Sequence, residues 1–134
     1  MEDEVMKRYR APSYFGELDL SAEDDFGGRR SVSASGENAL CGDTLTLAFA
    51  VRSRVGEDSL VERARFTGYG CSLCLASADA LMEMMEGRAV SDCLTLSEAS
   101  LRNALGEPEI GRSRTKCLML PLDIAKRALS RSDA

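Results

Sequence analysis

Three cysteines and one aspartate stand in turn-forming sequences and carry the chemistry that this chain could perform. They are Cys41 and Asp43 in Cys-Gly-Asp, Cys71 after Gly-Tyr-Gly, and Cys117 after Arg-Thr-Lys. The chain of 134 residues contains no histidine, so it offers neither an imidazole ligand nor an imidazole base. Three thiolates and a carboxylate can hold a zinc ion or an iron–sulfur cluster. Because the carboxylate is a harder ligand than a fourth thiolate, such a site suits a centre that is loaded and then released.

Each of these cysteines is predicted to lie where an element of secondary structure begins. Cys41 precedes a strand, Cys71 opens the first long helix and Cys117 opens the last one. The positive end of a helix dipole favours the thiolate form, which helps both metal binding and nucleophilic attack. Lys116, with Arg114 close by, would add to this effect at Cys117.

Spacing alone leaves other interpretations open. In an extended segment residues two apart point the same way, so Cys41 and Asp43 could converge on one atom. A free cysteine is more often a small buried hydrophobic residue, and spacing alone favours that interpretation. Cys71 and Cys74 form a Cys-x-x-Cys sequence, but a redox role would need a thioredoxin-like βαβ setting. We expect Cys74 and Cys93 to pack in the core.

Composition predicts one domain and excludes several classes of partner. Residues 1–134, with 44% hydrophobic residues, can bury a real core. No apolar run reaches the roughly 18 residues of a transmembrane helix, so no membrane partner is expected. A net charge of -5 argues against nucleic acid. The acidic N-terminus lacks the apolar region of a signal peptide, so we expect a cytoplasmic protein whose five cysteines are thiols.

Alternating hydrophobicity predicts strands in the first half of the chain. Residues 44–52 alternate most clearly, residues 60–67 alternate again, and residues 31–35 carry a weak strand pattern. The short connection between the first two predicts an antiparallel pair. In residues 60–67 the inward-facing side chains are predicted to be Leu60, Ala64 and Phe66.

A helical period replaces the alternation in the second half. Residues 72–86 form a broad apolar face that stops at Gly87. The last helix is predicted from about residue 117 to residue 130, with Pro121 in its first turn, where a missing N–H does little harm.

Shorter segments complete the pattern. Residues 2–10 predict a short amphipathic helix, and residues 13–30 predict a mobile loop. Ser91 and Ser97 could each cap a short helix. Strands followed by helices indicate an α+β domain with a small antiparallel sheet covered by helices.

Taken together, the motifs resemble the scaffold family of iron–sulfur cluster assembly, the group of IscU, SufU and NifU N-terminal proteins. The order is Cys-Gly-Asp, then Gly-x-Gly-Cys opening a helix rich in alanine and serine, then a basic residue followed by Cys and a terminal helix. This order matches across residues 41–130, and Tyr-Arg-Ala-Pro at residues 9–12 is similar to a tyrosine-x-x-proline of the family. Gly-Cys-Ser-Leu-Cys-Leu-Ala-Ser-Ala at residues 70–78 is especially similar to the SufU branch.

The resemblance implies a fold, a site and partners. The fold is α+β, with a three-stranded antiparallel sheet packed with helices. The ligands map to Cys41, Asp43, Cys71 and Cys117, which would hold a [2Fe–2S] cluster or Zn²⁺ at the same site. A cysteine desulfurase would deliver persulfide sulfur, with Cys117 a candidate acceptor and Lys116 stabilising its freed thiolate. Recipient apoproteins or cluster carriers would take the product, and the scaffold would be a monomer or a weak dimer.

Departures from the family pattern keep three hypotheses in play. IscU-type members carry histidine where Lys116 stands, while the region of residues 88–113 is shorter than in SufU-type members. Residues 110–116 replace the Leu-Pro-Pro-Val-Lys segment through which some IscU proteins engage a chaperone. The chain could be a non-enzymatic scaffold that builds a cluster, a zinc-dependent sulfurtransferase that stimulates the desulfurase, or a structural zinc domain.

Overall fold

The computed structural model describes residues 3–18 and 28–132, which form one sheet and a set of helices around it. In chain order the elements are α1 (Glu4–Arg10), β1 (Arg29–Asn38), β2 (Asp43–Arg54), β3 (Glu57–Tyr69), α2 (Ser72–Met85), α3 (Val90–Leu94), α4 (Glu98–Ala104), a 3₁₀ turn (Arg112–Arg114) and α5 (Thr115–Ser132). Among these helices none has both the length and the apolar character needed to cross a membrane.

The sheet confirms the predicted α+β class. Its three strands lie in the order β1-β2-β3 and pair antiparallel throughout. Strand β2 is central, and the alternation predicted there is confirmed because its larger apolar side chains are all fully buried: Leu45, Leu47, Phe49 and Val51. Helices α2 and α5 pack on the sheet and on each other, so the core lies between one sheet face and these two helices.

Strand β3 corrects one prediction. Leu60 does not face inward; Val61 is fully buried instead, while Leu60 is only half-buried. The register explains the difference, because Ala50 pairs with Arg63 whereas Val51 pairs with Val61. One extra residue in β3 therefore bulges out and reverses the alternation on either side of it.

Helix α2 begins and ends close to its predicted limits. Cys71 is its N-cap residue, and the chain leaves the helix through Gly87, whose φ is +89°. Left-handed backbone of this kind favours glycine because it has no Cβ. Ten of the helix's residues are buried, since α1, α5 and β3 all contact it. The helix thus packs across the core, and its N-terminus lies beside the first residue of the central strand β2.

Two details of the other helices differ from the predictions. Helix α5 begins at Thr115, because the 3₁₀ turn leads directly into it, so Pro121 lies in the second turn rather than the first. Having no N–H, Pro121 leaves the carbonyl of Cys117 without its usual helical donor. Ser91 is not a cap: Ala89 precedes α3, and the Ser91 N–H donates to Asp58 Oδ2 at 2.7 Å.

Capping at α4 and the short N-terminal helix agree with the predictions. Ser97 is the N-cap of α4, and helix α1 occupies most of residues 2–10. Half of the predicted mobile loop of residues 13–30, residues 19–27, lies outside the described residues, and its last two residues belong to β1. Before that gap, the Tyr14 carbonyl and the Gly16 N–H both hydrogen-bond to Phe66 of β3.

Candidate metal centre

The turn between β1 and β2 presents the first two candidate ligands. The Cys41 N–H donates to the carbonyl of Asn38 at 3.2 Å, and Gly42 has a φ of +72°. Cys41 and Asp43 therefore approach each other through a tight turn rather than along an extended strand. The turn leaves Cys41 exposed and places Asp43, the first residue of β2, fully inside the protein.

Asp43 is a buried carboxylate with only one of its oxygens engaged. Its Oδ1 accepts a hydrogen bond from the Cys71 N–H at 2.8 Å, whereas no N–H of the described residues reaches the buried Oδ2, and the carboxylate has the thiol of Cys117 beside it. Gly70 makes this approach possible, because a Cβ there would overlap Asp43 Oδ1 and lie 3.1 Å from Asp43 Cα. A buried anionic oxygen without a partner is costly, so its position suits a bound cation.

Two thiols meet beside this carboxylate. Cys117 Sγ lies 3.2 Å from Cys41 Sγ and donates to it. The two sulfurs and a carboxylate oxygen of Asp43 all lie within 4.8 Å of one another. Ligands of one tetrahedral zinc ion are about 3–4 Å apart, so this group is close to the spacing that a single centre needs. The donor set of two sulfurs and one oxygen also fits iron.

Cys71 stands at the edge of this group rather than in it. As the N-cap of α2, its Sγ accepts a hydrogen bond from the Cys74 N–H at 3.4 Å. The half-exposed thiol also contacts Cys117 and the guanidinium of Arg114. Its sulfur lies outside the 4.8 Å group of the other three, so Cys71 would have to move towards them to bind the same ion.

Burial sets the protonation of the interior thiols. Burial, followed by the neighbouring thiol of Cys41, raises the pKa of Cys117 well above its ordinary value. Burial likewise raises the pKa of Cys74, and it raises the pKa of Cys93 to about 12. Without a metal the thiol of Cys117 keeps its proton, so metal binding there must release one.

Arg114 is the cation that reaches the thiols. Its guanidinium hydrogen-bonds to Cys71 and Cys117, and the hydrogen bond to Cys71 is the main cause of its raised pKa. Lys116 instead lines a groove of about 500 Å³ beside Leu40 and Met119. Arg114 precedes Cys117 by three residues, which is one turn of a 3₁₀ helix. This spacing is the feature of the sequence that indicates a contact between Arg114 and Cys117.

The remaining cysteines and one further neighbour complete the surroundings. Cys74 and Cys93 are fully buried among apolar residues, as expected for core cysteines. Asn38, which the sequence did not single out, is also buried, and its Nδ2 lies 3.7 Å from Cys117 Sγ as a weak donor. Its side chain helps to orient the buried sulfur.

Comparison with known proteins gives consistent matches along the chain. The family model of the NifU-like N-terminal domain matches residues 1–133. The iron–sulfur cluster assembly scaffold protein IscU of Azotobacter vinelandii is 30% identical over 127 residues, which cover 95% of this chain and 89% of that protein. A bifunctional NifU/MnmA protein of Rubrobacter xylanophilus is 36% identical over 84 residues, but these are 63% of this chain and only 16% of that longer protein.

Solved structures share the fold at low sequence identity. The N-terminal part of a NifU-like protein from Brucella abortus superposes with a TM-score of 0.71 at 15% identity, covering 98% of this chain and 93% of the other. FiSufU from Fervidobacterium islandicum superposes with a TM-score of 0.65 at 21% identity, covering 96% of each chain. At such identities the likeness supports the architecture alone.

Proposed function

The chain belongs to the NifU-like N-terminal domain family of iron–sulfur cluster assembly scaffolds, and we propose that it receives sulfur from a cysteine desulfurase and builds a transferable [2Fe–2S] cluster. One observation carries this proposal: the buried Oδ2 of Asp43 accepts no N–H hydrogen bond from the described residues and lies beside two thiols. A site for a cargo cluster explains why a carboxylate is kept inside the protein with no salt bridge to a cation of residues 3–18 or 28–132.

The proposed ligands are Cys41, Asp43, Cys71 and Cys117. Three of them are already gathered, and Cys71 would join after leaving its cap on α2. The oxygen ligand is the weak point of this set, because a carboxylate holds iron less firmly than a thiolate does. We therefore assign to Asp43 the role of making the cluster transferable.

Exposure suggests the order in which sulfur arrives. Cys117 is fully buried, whereas Cys41 is exposed and only 3.2 Å from it. A desulfurase persulfide would meet Cys41 first: its thiolate attacks the outer sulfur, and the desulfurase thiolate leaves. Cys117, the candidate acceptor, could take the same sulfur from Cys41 by a second identical exchange. Arg114, which hydrogen-bonds to Cys117, would stabilise the thiolate that Cys117 must form for this exchange.

Anaerobic reconstitution tests this function. The protein is incubated with iron, cysteine and a catalytic amount of cysteine desulfurase, and charge-transfer absorption of a [2Fe–2S] cluster is expected. The Asp43→Ala variant should form a cluster that passes to an apo-acceptor several-fold more slowly than the wild type does. Asp92→Ala, at an exposed position, is the matched control and should transfer at the wild-type rate.

A zinc-dependent sulfur acceptor is the second candidate, and the contact of Arg114 with two thiols favours it. A cation so placed would stabilise a thiolate that leaves zinc to take sulfur. Protein that retains zinc, raises desulfurase turnover and forms no cluster would replace the scaffold proposal with this one. Neither cluster nor stimulation, together with unfolding on chelation, would overturn both in favour of a structural zinc domain.

A further inference from the structure

The Cys-x-x-Cys sequence at the start of α2 contains a thiol that the proposed ligand set does not use. The antiparallel sheet argues against a thioredoxin-like fold, but reactivity in such motifs comes from their position at a helix N-terminus. In this protein Cys71 is the N-cap residue and Cys74 lies in the first turn of the helix. The local arrangement of a redox dithiol is therefore present on a different fold.

The contacts and exposure of the two residues are complementary. Cys71 Sγ lies 3.4 Å from the backbone nitrogen of Cys74, which is two bonds from the Cys74 Cβ. Residues three apart at a helix start have Cβ atoms about 5–6 Å apart, and a small adjustment brings such a pair into disulfide range. Cys71 is half-exposed, so a sulfur donor can reach it, whereas Cys74 is shielded in the core.

Cluster chemistry creates a need for such a pair. A desulfurase persulfide delivers sulfur at the oxidation level of sulfane, whereas the bridging atoms of a cluster are sulfide. Each sulfur must therefore gain two electrons before it enters a cluster. Two thiols that join in a disulfide supply two electrons.

We propose that Cys71 and Cys74 form a dithiol that reduces sulfane sulfur to hydrogen sulfide after the neighbouring Cys117 passes that sulfur to Cys71 by thiol exchange, an activity that rests on the proposed function for its sulfur supply. The sulfur of Cys74 attacks the Cys71 sulfur, and the bond from Cys71 to the outer sulfur breaks. The outer sulfur leaves as hydrogen sulfide, keeping its own hydrogen and taking the proton of the Cys74 thiol. A cellular dithiol then reduces the Cys71–Cys74 disulfide by exchange.

The placement of this pair fits the rest of the site. Cys71 is the one candidate ligand outside the close group of Cys41, Asp43 and Cys117, so its oxidation leaves those three in place to hold iron. Sulfide is released next to that group, because Cys71 contacts Cys117. Reduction of the disulfide returns Cys71 as the fourth ligand.

The test loads the metal-free, full-length protein with sulfane sulfur from inorganic polysulfide. Excess polysulfide is removed under anaerobic conditions, no thiol is added, and the released sulfide and the disulfides are followed by colorimetry and peptide mass mapping. We expect one sulfide for each disulfide formed, with the disulfide between Cys71 and Cys74. In Cys74→Ala the extra sulfur should stay on Cys71, and sulfide release should slow roughly tenfold or more.

Controls keep the outcomes separate. Cys93→Ala removes another fully buried thiol and should release sulfide like the wild type. Wild-type release from Cys74→Ala, or a disulfide formed only between Cys41 and Cys117, whose sulfurs are 3.2 Å apart, would overturn the proposal. If the Cys74→Ala variant does not fold, Cys74→Ser replaces it in the same experiment. The disulfide map of the wild-type protein tests the proposal without any variant. Polysulfide bypasses the desulfurase, so loss of desulfurase-dependent loading alone would count against the proposed function and not against the dithiol.

Discussion

Two buried aspartates, one within helix α2 and one beside its N-terminus, differ in how their oxygens are hydrogen-bonded. Asp79, within the helix, has both oxygens engaged: Oδ1 accepts from the Tyr14 N–H and Oδ2 from Arg8 Nη1, each at 2.8 Å. Asp43, beside the helix N-terminus, has Oδ1 engaged by the Cys71 N–H, whereas its Oδ2 accepts no N–H hydrogen bond from the described residues. The two side chains are equally inaccessible to water.

The difference separates a structural charge from a functional one. Burial of an ion is tolerated when the protein supplies a counter-charge and hydrogen bonds, which Asp79 has. Asp43 forms no salt bridge within the part of the chain that the structure describes and has thiols beside it instead. The first aspartate attaches the N-terminal segment to α2, and the second leaves a ligand position open.

Asp79→Ala should have the largest effect on stability. Removal of the carboxylate leaves the Tyr14 N–H without its acceptor and the Arg8 guanidinium without its buried partner, so we expect the free energy of unfolding to fall by about 3 kcal/mol. Urea denaturation of the metal-free protein measures this. Glu83→Ala removes a more exposed partner of Arg8 and should cost less than about 1 kcal/mol. Equal losses in the two variants would contradict the structural role of Asp79.

Gly70→Ala should come next. The added Cβ would collide with Asp43 Oδ1, so the strand and the helix start must move apart, at a cost of about 2 kcal/mol. Gly111→Ala is a suitable control, because its φ of -68° is ordinary and no atom lies within 4 Å of the new Cβ. Thermal unfolding compares the two. Equal melting temperatures for the two variants would show that Gly70 does not approach Asp43 as closely as the structure indicates.

Asp43→Ala should change the stability of the metal-free protein by no more than about 1 kcal/mol, because the loss of the Cys71 hydrogen bond is offset by removal of a buried polar oxygen with few hydrogen bonds. Added zinc should raise the melting temperature of the wild type more than that of the variant, since binding to the folded state stabilises it. A loss as large as that of Asp79→Ala would show that Asp43 is held for structural reasons.

Substitution of Glu62 should have the smallest effect on stability, and that effect should depend on pH. It is half-buried between two arginines, and the hydrogen bond from Arg52 is the main cause of its lowered pKa. A lowered pKa means that the ionised carboxylate adds stability above the unfolded-state value of 4.5, and that this contribution is lost as the pH falls through the folded-state value.

Glu62→Gln should therefore cost less than about 1 kcal/mol at pH 7, and the difference from the wild type should disappear in acid. Denaturation between neutral pH and pH 3 measures it. A difference that grows with acidity would contradict the assignment.

Local periodicity explains which parts of the fold were predictable. The alternation in β2 and the helical period in α2 are written in neighbouring residues, so both were predicted correctly. The bulge in β3 and the start of α5 were not, because each depends on what the segment pairs with or follows. Leu60 and Pro121 were misplaced for that reason.

The candidate site likewise has features that the sequence predicts and features that only the folded structure shows. Residue types and spacing selected Cys41, Asp43, Cys71 and Cys117 as candidate ligands, because few side chains other than thiols and carboxylates can hold a metal in a chain without histidine. The sequence by itself thus determined the available chemistry and the elements that carry it.

Only the tertiary structure decided how these groups meet. The sulfurs of Cys41 and Cys117 are 76 residues apart in sequence and 3.2 Å apart in space. The free oxygen of Asp43 and the hydrogen bond that holds its other oxygen likewise depend on segments distant in sequence. Burial and hydrogen-bond satisfaction are properties of the assembled core, and no local pattern of residues records which polar atom will remain without a partner.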